Sequence, residues 1–215
     1  MTGKFISFEG GEGSGKSTQL SFVFNAIKSS DFGCIKTREP GGSPGAELIR
    51  NLLVNGSTDK WDPVAETMLF YAARIDHVAK IIKPALSEGK FVICDRFTDS
   101  TRVYQGIGKG LSEEYILKLH HLTLGNFQPD LTLILDIDPA IGLKRANTRA
   151  GAENRFESMD FEFHQAVRNG FLSIARRESE RCIIIDASQE IAAVQSSVIN
   201  AINQRLGLKL HPTAE

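Results

Sequence analysis

No stretch of this chain is apolar for long enough to cross a membrane, and its opening residues, Met1-Thr2-Gly3-Lys4-Phe5-Ile6-Ser7-Phe8-Glu9, lack the long apolar core of a secretory signal. A cytoplasmic protein with no membrane partner is expected. There is no excess of charge of either sign. Lys and Arg number 25 against 26 Asp and Glu, so no uniform basic field exists to hold a nucleic acid, and any anion site must be local. Cysteine is scarce: Cys34, Cys94 and Cys182 each stand beside apolar residues in strand-like stretches. They read as buried reduced thiols rather than as disulfides or metal ligands. The five histidines show no metal-ligand spacing with cysteines or carboxylates and receive no role. A guanine-reading N-K-x-D motif and internal repeats are also missing.

What is there suits one folded unit. At 215 residues, 41% hydrophobic and 24% charged, the chain is long enough to bury about 70% of the surface its unfolded form exposes. Continuous apolar runs at 91–94, 131–135 and 182–185, each ending in an aspartate, read as strands covered on both faces, hence as parallel strands. Further strands are expected at 4–9 and 34–37. Helical periodicity fills 16–28, 45–54, 63–86, 112–124, 139–149, 160–178 and 189–206. Repeated β-α alternation predicts an α/β fold with one domain over 1–207 and a frayed tail over 208–215.

The segment Gly10-Gly11-Glu12-Gly13-Ser14-Gly15-Lys16-Ser17, followed by Thr18, satisfies G-x-x-x-x-G-K-[ST] and lies between an expected strand and an expected helix. The glycines let successive N–H groups turn toward phosphate oxygens, and the helix aims its positive end at them. Lys16 then bridges the β- and γ-phosphates, and Ser17 offers its hydroxyl to Mg²⁺. A turn alone needs neither the lysine nor the hydroxyl. The loop by itself specifies only a nucleoside triphosphate, since switches, motors and kinases share it.

Asp95-Arg96 closes the third strand and projects from the same sheet edge, where the carboxylate suits Mg²⁺ or its waters and the guanidinium suits a phosphate. An exposed salt bridge is the alternative. Arg145, Arg149 and Arg155 flank 150–154, a segment that reads either as a solvated face or as a lid bringing positive charge over a transferring phosphoryl group. Phe70 and Arg74 share one helix face, pairing a stacking surface with a planar donor. Taken alone, that pair reads as core packing plus a surface arginine.

Phe8-Glu9-Gly10 with the phosphate loop, Thr37-Arg38-Glu39-Pro40-Gly41-Gly42, Leu69-Phe70-Tyr71-Ala72-Ala73-Arg74, Asp95-Arg96-Phe97, Tyr104-Gln105-Gly106 and Pro129-Asp130-Leu131-Thr132 are similar to the corresponding stretches of bacterial thymidylate kinases. The resemblance runs along nearly the whole chain. It implies a three-layer fold with a five-stranded parallel sheet flanked by helices, a homodimer packed through the 63–86 helix, and transfer from MgATP to dTMP. It also implies that Phe70 stacks on thymine, that Arg74, Gln105 and Thr101 meet its edge, and that Arg50 and Arg96 hold the acceptor phosphate beside Glu39 and Pro40. Tyr104 would crowd the 2′ position, Glu12 would face the 3′-hydroxyl, and Asp95 would lie near Mg²⁺. The absence of arginine inside the phosphate loop resembles the variant that draws its catalytic arginine from the lid at about 143–157. Arg149 is the expected source, and Arg155 a second lid cation. A kinase for another nucleoside monophosphate and a non-catalytic nucleotide switch are the rival readings.

Overall fold

The computed structural model describes residues 3–30, 32–147 and 155–211. Five strands, β1 (Phe5–Glu9), β2 (Cys34–Arg38), β3 (Phe91–Asp95), β4 (Leu131–Asp136) and β5 (Cys182–Asp186), form one sheet in the order β2-β3-β1-β4-β5. Every pairing is parallel, with Ile6 opposite both Ile93 and Leu131. All five residues of β1 are buried, as continuous apolar runs require of a strand covered on both faces. β5 departs from that expectation: it is an edge strand, and Ile184 is exposed.

Alternating side chains divide the core into two layers. On one face Ile6, Phe8, Ile93, Leu133 and Leu135 pack against α1 (Lys16–Lys28) and α9 (Ile191–Leu206). On the other, Phe5, Val92 and Cys94 meet the long helix that begins as α3 (Pro63–His77), and Ile134 and Cys182 meet α8 (Phe161–Arg177). Helices therefore cover both faces, giving the expected three layers. α2 (Pro44–Val54), α6 (Glu113–Leu124) and α7 (Pro139–Asn147) complete the connections. Several helices start where a side chain accepts from their first free N–H groups: Ser43 before Pro44, Asp62 before Pro63, Ser112 and Asp160.

Three further departures from the sequence reading matter. The 63–86 helix is interrupted by a wider π-type turn at Val78–Ile82 before α4 (Lys83–Ser87). Pro84 has no N–H to donate and its ring crowds the carbonyl one turn earlier, so the helix widens there. An unanticipated helix, α5 (Thr98–Thr101), runs into a second π-type stretch, Arg102–Gly108; its short length and two glycines hide any apolar period. The expected tail is docked in its first part. Leu208 and Leu210 are buried, and Leu210 exchanges two hydrogen bonds with Asn203 at 2.8 and 2.9 Å. The middle of the expected lid, 148–154, lies outside the described residues, which include only the last part of α7 and residues 155–157. Among the described residues no helix is long and apolar enough to cross a membrane.

Candidate active site

The phosphate loop leaves the C-terminal end of β1 and turns directly into α1. Gly13 and Gly15 have φ of 66° and 88°, and a Cβ on Gly13 would strike the Gly142 carbonyl of α7. Position 13 is therefore closed to larger residues. Gly15 caps α1 without a side-chain acceptor, which leaves the first N–H groups open to an anion. Lys16 folds back over the loop, its Nζ donating to the carbonyls of Gly10 at 3.1 Å and Gly11 at 2.8 Å. Burial, and next the neighbouring Arg96 charge, lower its pKa to about 8.

Asp95 and Arg96 stand beside this loop because β3 pairs with β1. The Ser17 hydroxyl donates to Asp95 Oδ2 at 3.4 Å, while Asp95 Oδ1 is buried without a partner. A buried carboxylate oxygen in need of a counter-ion, next to a hydroxyl at the mouth of a phosphate cradle, fits a hard oxygen-seeking cation such as Mg²⁺. Arg96 is the only non-glycine among the described residues in the left-handed region, with φ 67°. That conformation is held from several sides. Its backbone N–H donates to Phe8 at 2.9 Å, and its guanidinium to the Gly10 carbonyl (3.1 Å), Ser100 Oγ (3.1 Å) and Glu12 (2.9 Å). Below it, buried Glu9 accepts from the Phe97 N–H at 2.7 Å and Ser100 Oγ at 2.6 Å. Burial, with Asp99 adding to it, pushes the Glu9 carboxyl up to about 8. Glu12 goes the other way: burial alone would raise it, but Arg96, Lys16 and the Tyr104 hydroxyl outweigh burial and hold it at about 2.

A cavity of about 230 Å³ runs from Lys16 and Ser17 past Asp95 and Arg96 to Phe70, Arg74 and Gln105. Arg74 is its deep cation, 2% exposed. Its Nε donates to Glu39 at 2.6 Å and its Nη2 to Thr101 Oγ1 at 3.1 Å, while Nη1 is buried with no partner. Phe97 and Tyr71 flank the guanidinium, their ring centres 5.2 and 4.8 Å from Cζ. Arg50, Glu39 and Pro40 line the same cavity, with Arg50 Nη1 donating to the Pro40 carbonyl at 2.6 Å. Thus a cradle for one phosphate and a cluster of guanidinium groups share one rim, ahead of a pocket walled by rings.

A model of the thymidylate kinase family matches residues 8–198. The chain belongs to this family. It is 53% identical over 206 residues to the thymidylate kinase of Caulobacter vibrioides, covering 96% of this chain and 99% of that protein. The thymidylate kinase of Bradyrhizobium sp. is 46% identical over 206 residues, covering 95% of this chain and 91% of that protein. The crystal structure of thymidylate kinase from Ehrlichia chaffeensis superposes with a TM-score of 0.79 at 35% identity, covering 94% of this chain and all of that one.

Within this thymidylate kinase fold most of the expected site residues converge on the cavity: Glu12, Gly13, Ser14, Gly15, Lys16 and Ser17 at one end, and Phe70, Arg74, Thr101, Tyr104 and Gln105 at the other. Gly10 and Gly11, at the start of the loop, line a smaller neighbouring cavity instead, and Thr18 is exposed. Arg155 does not take the phosphate-facing position expected of it. It is 2% exposed, ion-paired to Glu66, and donates to the carbonyls of Leu53, Ser57 and Thr58. Three backbone acceptors and a buried carboxylate hold it more firmly than an open lid could. Arg149 lies outside the described residues. Arg145 reaches back to the Ala187 carbonyl at 3.1 Å.

The sequence reading missed several members. His77, given no role, bridges Thr37 and Glu39 at 2.7 and 2.9 Å and so orients the carboxylate that grips Arg74. Its place three residues after Arg74 on one helix was the available signal. Ser100 and Phe156 also line the cavity. Phe156 stands 5.7 Å from Tyr104 and 6.3 Å from Phe70, centre to centre.

Proposed function

We infer that this chain is an ATP-dependent thymidylate kinase, converting dTMP and ATP to dTDP and ADP. What supports this reading is that Lys16 of the phosphate loop, Arg96 and Arg50 all line one cavity. ATP lies with its β- and γ-phosphates against the loop amides and Lys16, and the acceptor phosphate lies on Arg96 and Arg50. Phe70 faces the base, and the free Nη1 of Arg74 donates to its edge. Tyr104, with its hydroxyl on Glu12 at 2.9 Å, packs against the sugar, and Glu12 meets the 3′-hydroxyl. Attack is in line, by an acceptor phosphate oxygen on the γ-phosphorus. That oxygen is already ionised, so no protein nucleophile or general base is required, and positioning with charge stabilisation supplies the acceleration. Ser17 and Asp95 would hold Mg²⁺, which neutralises charge on the β- and γ-phosphates.

Turnover of dTMP, dUMP, dCMP, dGMP and dAMP, read by coupled ADP detection with and without chelation of Mg²⁺, tests this reading. The highest kcat/KM is expected for dTMP, and no turnover after chelation. Preference for another acceptor, or ADP release that ignores the acceptor, contradicts it.

The enzyme works as a homodimer through α3, in this reading. Leu48 and Leu52 on α2 and Val64, Met68 and Ile75 on α3 are exposed apolar residues on two packed helices, a patch that suits a self-complementary interface. Free Cys34, Cys94 and Cys182 fit a reducing, cytoplasmic compartment; recovery from a membrane or extracellular fraction would contradict that.

A further inference from the structure

Glu66 lies at the start of α3 and is wholly buried, 0% exposed; it does not itself line the cavity, but its hydrogen-bond partner Gln105 does. Gln105 Nε2 donates to Glu66 Oε1 at 2.9 Å, Lys109 Nζ donates to Oε2 at 2.9 Å, and Arg155 closes the group as an ion pair. Two cations keep this carboxylate compensated in a site without water access. A carboxylate so placed offers lone pairs and no hydrogen, so only the nitrogen side of the Gln105 amide can face it. The amide oxygen of Gln105 is therefore the atom left for the cavity. Beside it, the buried and unpartnered Nη1 of Arg74 is a donor.

We propose that Glu66 is a positioning residue for acceptor specificity: by fixing which way the Gln105 amide points, it presents the base with one acceptor beside one donor. This rests on the dTMP kinase reading and deepens it. An acceptor–donor pair complements a pyrimidine with N3–H and a 4-carbonyl, that is, thymine or uracil. Cytosine reverses both groups, with an N3 acceptor and a 4-amino donor, and meets like against like at two buried positions. Without Glu66 the amide is free to turn over and offer its NH₂ to cytosine N3. Glu66, Phe70 and Arg74 recur every four residues, so the selector, the stacking ring and the donor share one face of α3.

The test is the ratio of kcat/KM for dTMP to that for dCMP, measured on wild type, Glu66→Gln, and the charge-conserving exchange Glu66→Gln with Gln105→Glu. Glu66→Gln is expected to lower the ratio at least about tenfold, mostly by raising turnover of dCMP. The exchange places a carboxylate at 105 that has only acceptors to show the base, and is expected to restore the ratio. If Glu66→Gln does not fold, Glu66→Asp keeps a negative charge beside Lys109 and Arg155 while withdrawing it from Gln105, and is expected to lower the ratio severalfold. A ratio unchanged in every folded variant, with stability or both activities falling together, overturns the proposal and leaves Glu66 a packing element. Failure of wild type to phosphorylate dTMP would instead overturn the reading on which it rests.

Discussion

Lys16 is expected to change its charge state when a phosphate binds. In the free protein burial and Arg96 bring its pKa to about 8, and its ammonium is occupied by the loop's own carbonyls. Phosphate oxygens favour the charged form and raise that value. The sign of the linkage follows. Below the free pKa the lysine is already protonated and nucleotide binding takes up no proton; above it, binding must take up one, and affinity falls about tenfold per pH unit. Titration calorimetry near pH 9 in buffers of differing ionisation enthalpy is expected to give uptake of close to one proton per ATP, about as linkage requires. Uptake near zero would mean either that burial does not lower Lys16 in the free protein or that Lys16 does not meet the phosphates. The placement of Lys16, Ser17 and Arg96 at one cavity was legible in the sequence because each belongs to a local motif whose spacing reflects one loop or one strand end. Glu66, His77 and the burial of Arg155 were not, because each is defined by partners far along the chain. Arg155 meets Glu66 across 89 positions (155 minus 66), and nothing in Asn154-Arg155-Phe156 distinguishes a buried clamp from a lid cation.

At the level of elements, the strands and most helices follow from apolar pattern and caps. The runs ending in Asp95 and Asp136 are the buried strands β3 and β4, and Ser43, Asp62, Ser112 and Asp160 mark helix starts. The two π-type stretches escaped because an extra residue in a turn leaves no signature in a 3.6-residue period. One of them, Arg102–Gly108, carries Tyr104 and Gln105 into the cavity, so the missed element is the one that shapes part of the cavity wall. α3 has two working faces: one presents Phe70 and Arg74 to the cavity, the other leaves Val64, Met68 and Ile75 exposed. The outward face predicts the quaternary state. Sedimentation is expected to show a dimer for wild type and a monomer for Met68→Glu, since an uncompensated charge in an apolar contact costs several kcal/mol, on the order of 3. An undisturbed Met68→Glu dimer would place the interface elsewhere.

For the whole molecule, the parallel order β2-β3-β1-β4-β5 is what brings chemistry from distant positions to one edge. β1 delivers the phosphate loop, its neighbour β3 delivers Asp95 and Arg96, and α3 crosses the same end with Phe70 and Arg74. The α/β class and the sheet's parallel character were readable from β-α alternation and from strands apolar throughout. The shape of the cavity was not, because it depends on side chains that the fold alone brings within reach of each other. The central claim is that donor and acceptor phosphates meet end to end on that edge. An adenosine and a thymidine joined through a polyphosphate chain of matching length test it most directly. The compound is expected to bind in one copy per chain and to compete with both ATP and dTMP. Competition with only one of them, or binding in two copies, would show that the two phosphate sites do not share a rim.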